Sequence, residues 1–139
     1  MADETGYILD AQVGFLLRRA TQRHLGIFGQ NMAELTPTQF ATLAKLCELG
    51  AVSQNALGRA TAMDAATIKG VVDRLRDKGL VASRRDTDDK RRLLLEASPQ
   101  GQALFRSLCK TALRITDETL EPLAPEERDT FLALLERLG

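Results

Sequence analysis

The chain has 139 residues, enough for one compact domain, and its 44% hydrophobic and 27% charged content is that of a soluble globular protein, not a disordered tail. Its formal net charge is zero, which excludes a protein that is basic over its whole surface. No run approaches the roughly 18 apolar residues that span a bilayer, and the opening MADETGYILD lacks the basic stretch of a signal peptide. No membrane partner is therefore expected, and a cytoplasmic location is.

The two cysteines, Cys47 and Cys109, lie far apart with no second pair, a spacing that favours reduced thiols over a disulfide framework. Charge is unevenly spread. Residues 64–92 carry nine Lys/Arg against six Asp, whereas residues 117–139 carry seven acids against two Arg. A polyanion would be received at the centre and repelled from the C-terminus.

Residues 8–31 place Leu9, Val13, Leu16, Leu17, Ala20, Ile27 and Phe28 at helical spacing and predict a long first helix. Thr36-Pro37-Thr38-Gln39 is a helix start in which Thr36 caps, Pro37 takes the first helical position and Gln39 completes a capping box. This second helix turns Phe40, Leu43, Leu46 and Cys47 inward and stops at Gly50. Ser53 caps a short third helix, SQNALGRA. Asp64 caps a fourth, DAATIKGVVDRLRDKG, with Ile68, Val71, Val72 and Leu75 on one apolar face and Gly79 at its end.

The period then changes. Residues 80–85 and 92–96 read as short extended segments joined by the polar stretch Asp86 to Arg91, which predicts a β-hairpin. A helix starting at Leu93 is the alternative, and Ser98-Pro99 argues against it because that pair opens a fresh helix. The fifth helix covers about 99–119, and Ala124-Pro125-Glu126-Glu127 opens a sixth. The expected fold class is mainly α with a small β-hairpin. Helices three and four make a candidate helix-turn-helix, and the hairpin flanks it as a wing. No repeat, low-complexity segment or flexible linker marks a second domain.

On these residues the chain resembles the MarR family of winged-helix transcriptional regulators over nearly its whole length. LTPTQFATLAKL (35–46) is similar to the family's LTxxQxxxLxxL segment. MDAATIKGVVDRLRDKGLV (63–81) is similar to its recognition helix, and RRDTDDKRRLLLEASPQG (84–101) to its wing. The resemblance implies a single MarR-type domain over 1–139, with dimerisation helices at about 8–31 and 99–138 and a winged helix-turn-helix at about 36–97. It implies an obligate homodimer and a palindromic double-stranded DNA operator, most simply under repression. The effector implied is a small aromatic acid or phenol. The residues are compatible with the dimer, since the first helix has a second apolar set, Phe15 and Leu25, away from its main stripe.

For DNA contact, the fourth helix is expected in the major groove, presenting Ala65, Ala66, Thr67, Lys69, Gly70 and Asp73. Many relatives carry Arg or Ser near Ala65 and Ala66 and a longer polar residue at Gly70, so base readout here falls to Thr67, Lys69 and alanine–thymine methyl contacts. Lys69 reaches either guanine or phosphate. Ser53 and Gln54 are candidates for phosphate contact at a helix start, and Ser53 is equally a plain cap. Arg74 is expected to brace the wing or touch phosphate. At the hairpin tip, the resemblance implies that Arg91 enters the minor groove and that Asp89 braces it. Arg84, Arg85, Lys90 and Arg92 are expected on phosphates or paired with Asp86 and Asp88.

The effector pocket implied by the family falls on the first helix. It holds the only histidine, His24, together with Arg18, Arg19 and Phe15, which would offer cations and a stacking face to an aryl carboxylate. On a straight helix Arg18 and His24 point about 240° apart, so one pocket takes both only by wrapping the helix or including a partner chain. Two alternatives stand beside this reading. One is a thiol switch at Cys109 or Cys47, and the other a winged-helix protein-interaction module that never meets DNA. No phosphate loop, HExxH or nucleophile elbow is present, so no enzyme is expected, and no cofactor or metal site.

Overall fold

The computed structural model describes residues 4–139; Met1, Ala2 and Asp3 of the opening segment lie outside it. The chain is mainly helical with one two-stranded antiparallel hairpin. It falls into two compact units, one of residues 33–110 and one joining residues 4–32 to residues 111–139.

The first unit is the winged helix-turn-helix. Helix α2 (Pro37–Leu49) starts on the capping box read from the sequence: Thr36 Oγ1 accepts the Gln39 N–H at 3.2 Å, and Gln39 Oε1 accepts the Thr36 N–H at 3.2 Å. Gly50 ends it at φ 77°. Ser53 caps α3 (Gln54–Ala60) by accepting the Ala56 N–H at 3.2 Å, and Asp64 caps α4 (Ala65–Asp77) by accepting the Thr67 N–H at 2.7 Å. Between α3 and α4 the chain turns at Ala62, which takes the left-handed φ of 56°.

Strands β1 (Val81–Arg85) and β2 (Leu93–Ala97) pair from Val81 opposite Ala97 to Arg85 opposite Leu93. β1 starts one residue later than expected and ends at the expected Arg85, and β2 as a whole lies one residue further along. A third extended residue, absent from the expectation, pairs on the outer edge of β2: Val52 and Leu95 exchange both backbone hydrogen bonds, at 3.0 and 2.7 Å. That bridge ties the wing to the segment just before α3. The core beneath is Leu43, Leu46, Leu57, Ile68, Val72, Leu75 and Leu95, all essentially fully buried. Cys47 and Phe40, expected inward, are half-buried, and Phe40 stacks on Phe105 with ring centroids 5.8 Å apart.

The second unit is built from α1 (Val13–Asn31), the end of α5 (Pro99–Thr119) and α6 (Pro125–Glu136). The long first helix expected from residue 8 starts only at Val13. Leu9–Ala11 form a 3-10 turn, and Gln12 is extended at φ −89°, ψ 140°. Apolar period locates a helix face but not its first residue, and Gln12 makes no side-chain cap to mark one. Ile27, Phe28, Ile115 and Leu120 are buried here. Arg23 donates to the Glu118 and Thr119 carbonyls at 2.9 and 3.3 Å, closing the C-terminal end of α5. Glu127 accepts the Ala124 N–H at 2.8 Å and so holds the start of α6.

Candidate nucleic-acid interface and effector pocket

Helix α4 buries Ile68, Val71, Val72 and Leu75, as the sequence pattern required, and leaves Ala65, Ala66, Thr67, Lys69 and Arg74 exposed. Its charges are arranged, not merely scattered. Asp73 takes the Lys69 ammonium at 2.9 Å on one carboxylate oxygen and the Arg76 guanidinium at 3.6 Å on the other. The Lys69 hydrogen bond is the main reason the Asp73 carboxyl sits below the usual range. Lys69 is thus exposed but partnered, at the i, i+4 spacing of a helical ion pair. Arg74 makes no hydrogen bond or ion pair to the described residues of the wing. Its Nη1 donates to the Gly70 carbonyl of its own helix at 3.3 Å, and no carboxylate among the described residues lies within ion-pair distance of it.

The start of α4 is fixed electrostatically. The Thr67 backbone N–H holds the Asp64 carboxyl below its ordinary value, helped by the Thr67 hydroxyl and the Ala66 N–H. An acceptor at this helix end also meets the positive end of the helix dipole. Ser53 serves as the α3 cap, and Gln54 is the first residue of that helix, half-buried.

The wing tip carries the arrangement implied by the resemblance. Asp89 Oδ1 accepts from the Arg91 backbone N–H at 3.1 Å and from Arg91 Nε at 3.2 Å. One carboxylate oxygen therefore fixes both ends of the arginine, while 92% of its side chain remains exposed. The loop closes through Asp86 N–H to Arg92 C=O and Arg92 N–H to Asp89 C=O, both 2.9 Å. None of the remaining wing cations forms an ion pair with Asp86 or Asp88 among the described residues. Arg84 pairs across the strands with Glu96 at 3.6 Å, not with Asp86 or Asp88, because strand residues reach across the ladder and loop residues do not. Arg85 donates to the Lys90 carbonyl at 3.0 Å, and Asp86 is used locally, accepting the Asp88 N–H at 2.9 Å. Arg92 is exposed. Glu96 was missed in the sequence because its partner lies 12 residues away on the other strand.

In the helical unit, a cavity of about 330 Å³ is lined by Leu17, Ala20, His24, Leu120, Phe131 and Leu135, with Thr21, Thr116 and Thr119 among its few polar groups. His24 Nδ1 and Thr119 Oγ1 are hydrogen-bonded at 2.9 Å, and the imidazole meets Phe28 edge-on at 6.3 Å. Of the four residues expected around an effector, only His24 reaches this cavity. Arg19 instead lies over the Phe15 ring at 6.0 Å, and Arg18 is exposed on α1. The angular separation of Arg18 from His24 on α1 governs the outcome.

Both cysteines are free and half-buried. Burial pushes the Cys47 thiol up, with Arg106 opposing and Cys109 adding to the shift, and the Cys109 thiol donates to the Phe105 carbonyl at 3.2 Å. Among the described residues no group of His, Cys, Asp and Glu is placed to hold a metal ion, and no helix is long and apolar enough to cross a membrane.

Comparison with known proteins agrees with this architecture. The pattern of the MarR family matches residues 35–93. The chain is 40% identical to the HTH-type transcriptional repressor NicR of Pseudomonas putida over 138 residues, covering 98% of this chain and 87% of that one. A probable transcriptional regulator from Pseudomonas aeruginosa superposes with a TM-score of 0.92 at 48% identity, covering 95% of this chain and 100% of its own. Bordetella bronchiseptica BpsR, whose DNA binding is regulated by 6-hydroxynicotinic acid, superposes with a TM-score of 0.91 at 40% identity, covering 95% of this chain and 96% of its own. Family pattern, sequence identity over almost the full length and shared fold converge: the chain belongs to the MarR family and is a transcriptional regulator of that type.

Proposed function

We propose that the protein is a homodimeric repressor that grips a palindromic operator and is released by a small aromatic acid or phenol. The observation that carries the DNA reading is Arg91, a guanidinium held at the wing tip by one carboxylate oxygen and otherwise bare. Such a group suits a narrow minor groove, where the potential is most negative. Helix α4 would lie in the adjacent major groove with Ala65, Ala66, Thr67 and Lys69 toward the bases. Ser53, Gln54, Arg74, Arg84 and Arg92 would flank it on phosphates, with Asp89 positioning Arg91. The repressor reading is supported by the 40% identity to NicR.

The dimer reading rests on apolar surface. Val13, Leu16, Leu17 and Leu25 of α1, Leu113 of α5 and Leu132, Leu134 and Leu135 of α6 are all exposed in the single chain. Eight such side chains on three helices of one unit form the kind of surface that a partner covers, and a second copy places two recognition helices on half-sites about 34 Å apart. We take 1–139 as one MarR-type domain in which α1, α5 and α6 dimerise. The effector class is supported by the likeness to BpsR and by an apolar cavity of suitable size beside His24. Ligand acts by favouring a state in which the two helices no longer match their half-sites. A cytoplasmic location and the absence of catalysis follow from this role. The thiol alternative is weakened at Cys47 by the burial that pushes its thiol up, against the lowered values of reactive cysteines.

The test is an anisotropy titration of the DNA upstream of the protein's own gene, with 6-hydroxynicotinic acid and other aryl carboxylates added. Binding that one compound reverses, with the reversal lost in His24→Ala, supports both halves. Failure to bind any duplex at low salt refutes the DNA reading, and release only by peroxide favours the thiol switch.

A further inference from the structure

Gly70 stands in the second turn of α4, where glycine in place of alanine disfavours the helix about fivefold. A glycine kept inside a helix usually answers to a positive φ or to a neighbouring element that leaves no room for a Cβ. Gly70 shows neither. It is absent from the positive-φ glycines, and the one atom within 4 Å of where its Cβ would stand is Arg74 Nη1, at 3.2 Å. Beyond the backbone of its own helix, the one group that a Cβ at 70 would meet is the end of the arginine side chain one turn later.

At about 100° per residue, Gly70 points within about 30° of the direction opposite the buried Ile68, Val71, Val72 and Leu75. It lies on the outward ridge of the helix, half-buried beside the Arg74 guanidinium. Side chains of a helix lean toward its N-terminus, and the Arg74 guanidinium accordingly folds back over Gly70 and donates to its carbonyl at 3.3 Å. Its neighbours are engaged otherwise: Lys69 and Arg76 share the Asp73 carboxylate. Arg74 is therefore the cation of this helix that lies on the ridge without an acid partner.

We propose that Gly70 and Arg74 form one base-reading unit. The missing side chain at 70 seats the Arg74 guanidinium across the face that enters the major groove, and the bond to the Gly70 carbonyl fixes its plane. A guanidinium has five N–H donors. One is spent on that carbonyl, which leaves more than the two needed to meet guanine O6 and N7 together. Arg74 then reads a guanine in each half-site, and Lys69, tied to Asp73, contacts phosphate. This assignment rests on α4 being the DNA-contacting helix, and within that reading it exchanges the places of two residues: Arg74 moves from phosphate to a base, and Lys69 from the bases to phosphate.

The test is selection of duplexes from a random library by the wild type, Gly70→Leu and Arg74→Lys at one salt concentration, with Tm recorded for each. Leucine is a good helix former, so Gly70→Leu at this outward position is expected to raise Tm by about 3 °C while filling the guanidinium's seat. Arg74→Lys keeps the charge and loses the fork. Both variants are expected to bind DNA at low salt yet lose a guanine preference at the same operator position, by roughly 10- to 100-fold. An unchanged selected motif in both variants, or an equal loss of affinity for every sequence in Arg74→Lys, overturns the inference and leaves α4 as the DNA helix. Enrichment of no duplex by the wild type overturns both.

Discussion

Gly101, the third residue of α5, separates local propensity from tertiary packing by sign. Propensity alone says that Gly101→Ala stabilises the helix by about 1 kcal/mol. The structure says the reverse. A Cβ on Gly101 would press on the Leu80 carbonyl oxygen more closely than any real Cβ approaches such an atom, with Leu80 C at 3.1 Å and Leu43 Cδ1 at 3.2 Å. The carbonyl cannot swing away freely, because it accepts the Ser98 N–H at 2.9 Å, while Ser98 Oγ donates to Gly79 C=O at 2.7 Å and accepts the Gly101 N–H at 3.0 Å. Overpacking of this kind costs about 1–3 kcal/mol, and loss of the Ser98–Leu80 bond about 1 more. With the propensity gain subtracted, Gly101→Ala should destabilise by about 2 kcal/mol. Urea unfolding at fixed protein concentration measures it as a lower midpoint at unchanged slope. A variant as stable as the wild type, or more so, would refute the close approach of α5 to the end of α4.

Three further outcomes follow from the same geometry. Ala62 holds a left-handed φ of 56° between α3 and α4, a conformation that costs an L-residue about 1–2 kcal/mol; Ala62→Gly should recover roughly half of that after the extra freedom of the unfolded chain, seen as a higher Tm. The Asp64 carboxyl is held below its ordinary value by the Thr67 N–H, so its stabilisation is complete above the unfolded pKa and lost as pH falls through the lower folded one. Asp64→Asn should keep the cap at neutral pH and flatten the stability profile on the acid side of about pH 4, with an unaltered profile counting against this. Arg91→Ala should weaken binding to every duplex and lower the slope of log K against log salt by about 1; identical slopes by anisotropy would remove Arg91 from the DNA.

Signals confined to a few neighbouring residues proved readable. The Thr36–Gln39 capping box, the caps at Ser53 and Asp64, the glycine stop at Gly50 and the bounds of α5 at 99 and 119 all appear where the sequence put them. So did the buried face of α4, since four apolar residues at helical spacing have one way to face a core. What escaped depends on residues distant in sequence. The Val52 bridge to Leu95, the Arg84 pair with Glu96 and the reason for Gly101 each join segments that no local pattern connects. Lys69 is a subtler case. Its pairing with Asp73, four residues on, is a standard helical spacing, yet a search for DNA contacts reads the lysine and passes over the acid that engages it.

The proposed effector site was the least legible part, and α1 shows why. An aryl carboxylate asks for an apolar slot and a cation together. The helix supplies both, but on different faces: Leu17, Ala20, Thr21 and His24 line the cavity, while Phe15 and Arg19 stack elsewhere on the same helix. Within the cavity the polar groups already include a bonded pair, His24 with Thr119. A carboxylate entering there must break that hydrogen bond or share it, and must find its cation on another chain segment. In the homodimer proposed above, the partner's α1 is one such segment, since the exposed leucines of this helix are the surface that a second copy covers. Composition and spacing describe one chain at a time, so a site completed by its twin leaves only half its residues on any face that the sequence can display.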